Sequence, residues 1–308
     1  MSLGEETCSR LSSNTAEAMA ALRAAGAAEP DAVLRNPDHL AGQFVSFSTR
    51  ASTLVKVPLL RRLVRNIAEV AVPGGYYFEL ARVKHMDAIL QSELRNGLSQ
   101  LVILGAGFDT RAHRFANQLH AVRVYEIDHP TIGMLKRKKV MRLCGRLPAH
   151  VTYVDADFTR DDPAERLAHV AYDHGQPTLV ILSGVTPYLP EEAVFRLLRF
   201  TGTHTSPRTS IVFDYVLKEM VDGDDGYHGA SHLRKRLNRL NEPLLFGIPS
   251  GTAATVLRRC GLTLSSDVGP RDLAAKYLRR SDGAIAGLPY GFAIIAHARV
   301  SREAALQQ

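Results

Sequence analysis

At 308 residues the chain has room for one large α/β core with an appendage or for about two domains, and its 45% hydrophobic and 22% charged residues, without Trp, are those of an ordinary soluble globular protein. No apolar run reaches the roughly 18 residues that span a bilayer, and Cys8, Cys144 and Cys260 are too widely spaced for a zinc site or a disulfide framework. The net charge of +7 invites a nucleic-acid reading, but the densest run, Lys136-Arg137-Lys138-Lys139 with Arg142 and Arg146, has no aromatic residues nearby to stack on bases; a solvated helix face is expected, with neither nucleic acid nor membrane as partner.

The start, Met1-Ser2-Leu3-Gly4-Glu5-Glu6, is acidic and lacks the apolar segment of a signal peptide, so a reducing cytoplasm is the expected location. Residues 1–98 read as helical. Residues 15–28 are Ala-rich, residues 59–70 carry apolar positions three and four apart, and a helix over 77–95 places Leu80, Val83, Leu90 and Leu94 on one face. Pro30, Pro37, Pro58 and Pro73-Gly74-Gly75 punctuate this region.

From Gln100 onward strands alternate with helices. Strands are predicted at 101–104, 121–127, 151–154, 178–182 and 210–216, with a helix over 190–200 opened by Pro190, a pattern that implies a doubly wound, mostly parallel sheet over 99–308. Residues 217–250 depart from it: an acidic loop, Asp222-Gly223-Asp224-Asp225-Gly226, precedes a basic helix over 232–240, which reads either as a lid-like insertion or as a surface excursion. A helix over 251–260 and strands at 262–265 and 291–298 complete the pattern, and the last residues to Gln307-Gln308 are expected to fray.

The chemistry concentrates where the first strand ends, in Leu104-Gly105-Ala106-Gly107-Phe108-Asp109-Thr110-Arg111. Glycines let the backbone approach a ligand closely, and Asp109 suits a helix N-cap. Thr110 stands where a dinucleotide fingerprint has its third glycine, which disfavours NAD and FAD; S-adenosyl-L-methionine is the common adenosyl cofactor without phosphates. Glu126-Ile127-Asp128 ends the second strand where a ribose would lie. One of the two acids is expected to reach the ribose and the other to cap or pair locally, although Asp128 could also cap the helix after His129-Pro130. Asp157 and Phe158 after the third strand read equally as adenine contacts or as a turn acid and a core aromatic.

Taken together these residues resemble the leucine carboxyl methyltransferase family, in particular its bacterial branch of small-molecule O-methyltransferases associated with polyketide pathways. The resemblance rests on Ala81-Arg82-Val83-Lys84-His85-Met86-Asp87, the Leu104-to-Arg111 run, Tyr125-Glu126-Ile127-Asp128-His129-Pro130 with Lys136-Arg137, Asp157-Phe158, Gly184-Val185 with Tyr188-Leu189-Pro190-Glu191-Glu192-Ala193, and Leu245-Phe246-Gly247-Ile248, and extends from about residue 30 to 298. It implies a Rossmann-like class I methyltransferase fold with an N-terminal helical cap (1–98), a cofactor-binding domain (99–308) and a lid-like insertion (about 217–250). It also implies S-adenosyl-L-methionine as cofactor, with Arg82 clamping the carboxylate of its methionine part. Gly105 and Gly107 would form the turn beside it, Asp128 would hold the ribose, and Asp157 with Phe158 would read adenine.

One departure is informative: Ser183-Gly184 stands where the family usually has a Glu before the Gly or Cys, so the methionine end lacks that carboxylate. Tyr76, Tyr77 and Tyr188 are candidates to line the acceptor pocket. A phenol acceptor would need a base, for which His85, His113, His129 and His228 are candidates, whereas a carboxyl acceptor, which the resemblance slightly favours, would not. The expected activity is therefore O-methyl transfer to a small natural-product-like molecule in secondary metabolism. Two alternatives remain, a non-catalytic accessory member of the fold, which Ser183 keeps open, and a nicotinamide oxidoreductase.

Overall fold

The computed structural model of the protein describes residues 3–45 and 58–301; Gln307 and Gln308, expected to fray, lie outside the described residues. Seven strands form one sheet: β1 (Gln100–Leu104), β2 (Arg123–Asp128), β3 (Val151–Asp155), β4 (Thr178–Leu182), β5 (Ser210–Val216), β6 (Leu262–Val268) and β7 (Ala293–Val300). Their order is β3-β2-β1-β4-β5-β7-β6, parallel except for β7, which runs antiparallel to both neighbours. The central strands β1 and β4 are buried at every position, as a parallel sheet covered on both faces requires. β6, at the sheet edge, is buried at Leu262 and then alternates between exposed and half-buried positions.

Strand order reverses between β1 and β4, which pair in register from Gln100 with Thr178 to Leu104 with Leu182. Such a reversal leaves a crevice beyond the carboxyl ends of the two strands, because their connections depart in opposite directions. Gly105 and Ser183, the residues after those ends, therefore face a common space.

The Gly75–Arg95 helix is buried around more of its circumference than the single apolar face predicted for it. Besides Leu80, Val83 and Leu90 it buries Glu79, Arg82, His85, Asp87 and Glu93. It packs against the Leu3–Ala27, Pro58–Ala71 and Pro270–Tyr277 helices, and its polar groups are tolerated because partners meet them. Asp87 receives Arg111 and Arg114 (2.8 Å each), and Glu93 receives Arg299 at 2.5 Å.

The basic run at 136–139 is not the solvated helix face expected. Within the Pro130–Cys144 helix, Lys136 is 2% exposed and pairs with the buried Glu126 at 2.8 Å. Arg137 pairs with Asp155 at 3.0 Å and Lys139 with Glu17 at 3.4 Å, so of the four only Lys138 is exposed. The Pro190 prediction shifts by one residue: Pro190 is the N-cap of the Glu191–Thr203 helix.

Three histidines, His85, His113 and His297, are held neutral, burial pushing each from 6.5 down to about 4. The unfolded chain therefore takes up protons that the fold refuses, and stability falls as pH drops from about 6.5 to about 4. His113 stacks on Phe44 with ring centroids 6.3 Å apart, and neither ring nitrogen has a hydrogen-bond partner. His113→Phe is expected to keep the packing and reduce the stability lost between pH 6.5 and 4 by on the order of 2 kcal/mol, measured by urea unfolding at several pH values. An unchanged pH profile would show that His113 takes no part.

Candidate functional site

A cavity of about 880 Å³ lies over the carboxyl ends of β1, β2 and β4. Eight residues singled out from the sequence line it together: Arg82, Gly105, Gly107, Asp128, Asp157, Phe158, Ser183 and Tyr188. Tyr76 and Tyr77 do not. Tyr76 is fully buried and donates to Glu29 Oε1 at 2.8 Å, and the Tyr77 ring packs flat on Gly287, where a Cβ would come within 2.1 Å of it. Both stand in the first turn of the Gly75–Arg95 helix, where their contacts are with Glu29 and Gly287.

The glycine turn is built as its residues dictate. Gly105 and Gly107 both have positive φ (64° and 44°), and a Cβ on Gly105 would lie 2.3 Å from Val185 Cγ2. Gly105 and Ala106 donate their amides to Ile127 O at 2.8 and 3.1 Å, and Gly107 N donates to Asp128 Oδ2, which ties the turn to the end of β2. Asp128 Oδ1 accepts from His129 N at 2.7 Å, and burial raises the carboxyl pKa. Asp128 does not cap the following helix. His129 does so, accepting from Thr131 N through Nδ1 at 3.4 Å, while Glu126 supplies the local pairing, to Lys136. Thr110 occupies the N-cap position of the short Arg111–Arg114 helix, and Asp109 satisfies its first amide from one residue upstream, accepting from Arg111 N at 2.7 Å.

Beyond β3, Asp157 and Phe158 take the turn-acid and core-aromatic places and also line the cavity. Asp157 Oδ1 accepts from Thr159 N (3.0 Å) and Oγ1 (2.7 Å), and Phe158 belongs to the core.

The opposite end of the cavity is a charged network that the sequence reading largely missed. Arg82 Nη1 donates to Asp214 Oδ2 at 2.9 Å and Nη2 to Glu79 Oε2, while its Nε–H is buried without a partner. Burial disfavours the Arg82 cation, but the Glu79 and Asp214 charges outweigh it and raise the pKa. Asp214 also accepts from Gly184 N at 2.7 Å. Arg23, from the first helix, reaches Asp38 (2.8 Å), Glu79 (3.3 Å) and Phe108 O (2.8 Å). Two signals for these residues were present. Glu79 stands three positions before Arg82 on one helix face, and Asp214 is the single acid within the otherwise uncharged Ser210–Val216 strand.

The outer wall combines the first helix (Thr15, Ala16, Met19), the turn after β4 (Tyr188, Leu189) and the 241–245 loop. Thr15 Oγ1 donates to Glu242 at 2.9 Å, and Leu245 N donates to Pro187 O at 2.7 Å. The 217–250 excursion thus returns to wall the cavity after the Ala230–Leu240 helix. Burial, reinforced by the Glu242 charge, pushes the Tyr188 hydroxyl up to about 12. Of the candidate histidines His129 alone lines the cavity; His85 contacts the Tyr277 hydroxyl at 2.9 Å, His113 stacks on Phe44, and His228 packs against Gly74 and Gly291.

Comparison with known proteins bears on this arrangement. The sequence pattern of the family described as leucine carboxyl methyltransferase matches residues 16–202. YktD of Bacillus subtilis (strain 168), provisionally named an S-adenosyl-L-methionine-dependent methyltransferase, is 29% identical over 194 residues, 63% of this chain and 64% of its own. A protein of Mycolicibacterium paratuberculosis (strain ATCC BAA-968 / K-10) with the same provisional name is 34% identical over 192 residues, 62% of this chain and 60% of its own. The chain thus spans less than two thirds of the length of these relatives. A crystal structure from Thermobifida fusca YX, also provisionally named a methyltransferase, shares the fold at 18% identity, with a TM-score of 0.56 over 79% of this chain and 88% of that one.

Proposed function

The chain belongs to the leucine carboxyl methyltransferase family, and from that premise we propose that it is an S-adenosyl-L-methionine-dependent O-methyltransferase of small molecules. The acceptor would be a carboxyl or phenol group of a polyketide-like product, methylated in the cytoplasm. The observation that carries this reading is the conjunction, around one cavity, of the Gly105 cradle, the half-buried Asp128 carboxylate and an arginine with an unused buried N–H. These residues fit the cofactor's parts. Asp128 has lone pairs left for ribose hydroxyls after meeting two backbone amides, and Asp157 with Phe158 offers an acceptor and a ring to adenine. Arg82 spends two of its five N–H groups on Glu79 and Asp214, which leaves others for a carboxylate.

When bound, the cofactor supplies a methyl group made electrophilic by its sulfonium. The protein's own part is mostly positioning. Met19, Leu189 and Leu245 provide apolar wall that excludes water, and the Tyr188 ring offers a π-face to a cationic centre. Glu242 favours the phenol over the carboxyl acceptor: it adds negative charge to the outer wall, repels an ionised acid and can receive a hydroxyl proton at a carboxylate oxygen.

A thermal-shift comparison tests the reading. S-adenosylhomocysteine at ~100 times its Kd is expected to add about 2.7 kcal/mol of stability, and NADH nothing. Asp128→Ala should weaken S-adenosylhomocysteine about 10- to 100-fold, the loss of a charged acceptor of hydrogen bonds. No shift with S-adenosylhomocysteine, or a shift with NADH alone, would refute the proposal. A mass-spectrometric search for a gained methyl group on paired phenols and acids then assigns the acceptor.

A further inference from the structure

We propose that Glu79 is the carboxylate that receives the α-ammonium group of the cofactor's amino-acid tail, so that the charge absent at Ser183 is supplied from the Gly75–Arg95 helix instead of the end of β4. The inference rests on the cofactor reading above. A free amino acid presents a carboxylate and an ammonium two bonds apart, so a cation that takes the first needs an anion close by for the second.

Around Arg82 the choice is narrow. Ser183 lines the cavity without a charge. Asp214 meets Arg82 Nη1 at 2.9 Å and Gly184 N at 2.7 Å but does not line the cavity. Glu79 does line the cavity, is 2% exposed, and touches Arg82 with one oxygen and Arg23 with the other at 3.3 Å, which leaves a lone pair on each. Asp38 and Asp109 also line the cavity, but their ion pairs are with Arg23 and Arg111 and not with Arg82, so neither stands beside the proposed carboxylate clamp.

The charge balance agrees. Among the described residues the connected network alternates Asp214, Arg82, Glu79, Arg23, Asp38, Arg114, Asp87, Arg111 and Asp109. It begins and ends on a carboxylate, so it carries one more acid than base; a zwitterionic tail adds one anion at Arg82 and one cation at Glu79 and leaves that balance unchanged, with no added charge unpaired.

The test is binding by titration calorimetry of two ligands, S-adenosylhomocysteine and its analogue lacking the α-amino group, to the full chain and to Glu79→Gln. The unaltered protein should prefer S-adenosylhomocysteine by about 10- to 100-fold, the value of one charge-assisted hydrogen bond pair. Glu79→Gln should lose that preference while holding the analogue within about twofold. Adding Ser183→Glu to Glu79→Gln should restore the preference, because a carboxylate returns beside Arg82. Equal weakening of both ligands would mean that Glu79 only positions Arg82. Equal affinity of the unaltered protein for both would mean that no carboxylate meets the ammonium. Either result overturns the proposal, and if Glu79→Gln fails to fold, Glu79→Asp, which keeps the charge but withdraws it by one methylene, should narrow the preference, an unchanged preference there overturning the proposal. Failure of the unaltered protein to bind either ligand would instead refute the cofactor reading itself.

Discussion

Arg82→Ala is expected to lower the free energy of unfolding by about 3–5 kcal/mol and to weaken S-adenosylhomocysteine by at least about 100-fold. The two effects share one cause. Arg82 is 7% exposed and is the cation between two carboxylates that are themselves nearly inaccessible, Glu79 at 2% and Asp214 at 5%. Removing it leaves Glu79 with Arg23 at 3.3 Å and Asp214 with the Gly184 amide, so both acids lose their nearest cation while remaining out of water. Arg82→Lys separates charge from geometry. It keeps the cation but cannot reach Glu79, Asp214 and a ligand carboxylate from one planar fork, so it should recover most of the stability and little of the affinity. Urea unfolding and calorimetry on the two variants check this. Full ligand affinity in Arg82→Ala would remove Arg82 from the site.

A second large effect is expected at the foot of the glycine turn. Lys136→Met should cost about 3–5 kcal/mol at pH 8 and distinctly less at pH 6. Lys136 and Glu126 are each 2% exposed and 2.8 Å apart, and Lys136 Nζ also approaches Ala106 O at 3.4 Å, within the turn itself. Burial pushes Glu126 from 4.5 up to about 7 even with the Lys136 charge opposing the shift. Because the folded carboxyl holds its proton more tightly than the unfolded one, stability falls as pH rises from about 4.5 to about 7. Without Lys136 that fall should continue to higher pH, since nothing then offsets the buried anion. At pH 6 the proton neutralises Glu126 and spares most of the loss. The double replacement Lys136→Met with Glu126→Gln should recover stability at pH 8. A loss below 0.5 kcal/mol that does not vary with pH would mean that the pair contributes little.

The parts of the site legible in the sequence are those whose role is set within a few residues. The apolar run into Gly105 and Gly107 announces a strand and a turn of positive φ, and Glu126-Ile127-Asp128 ends the adjacent strand, so parallel pairing alone brings Asp128 to the turn. The same local reasoning left open which acid would point inward. Packing decided it: the Pro130–Cys144 helix places Lys136 over Glu126 and leaves Asp128 to the Gly107 amide. Tyr76 and Tyr77 were misjudged for a related reason. An aromatic pair after Pro73-Gly74-Gly75 looks available, but Tyr76 finds Glu29, 47 residues away, and nothing local predicts that.

Helical and strand periodicity, the two glycines and the acids at strand ends were enough for the sequence alone to determine a doubly wound sheet and the wall of the cavity formed by the Gly105 turn and Asp128. Each of these depends on backbone conformation or on neighbours along one element. The charged end was decided only in three dimensions. Arg82 and Asp214 are 132 residues apart, Arg23 and Glu79 are 56 apart, and Thr15 meets Glu242 across 227 residues. A buried charge takes whichever partner the packing of elements delivers, and that choice depends on desolvation and distance, which no spacing along the chain records.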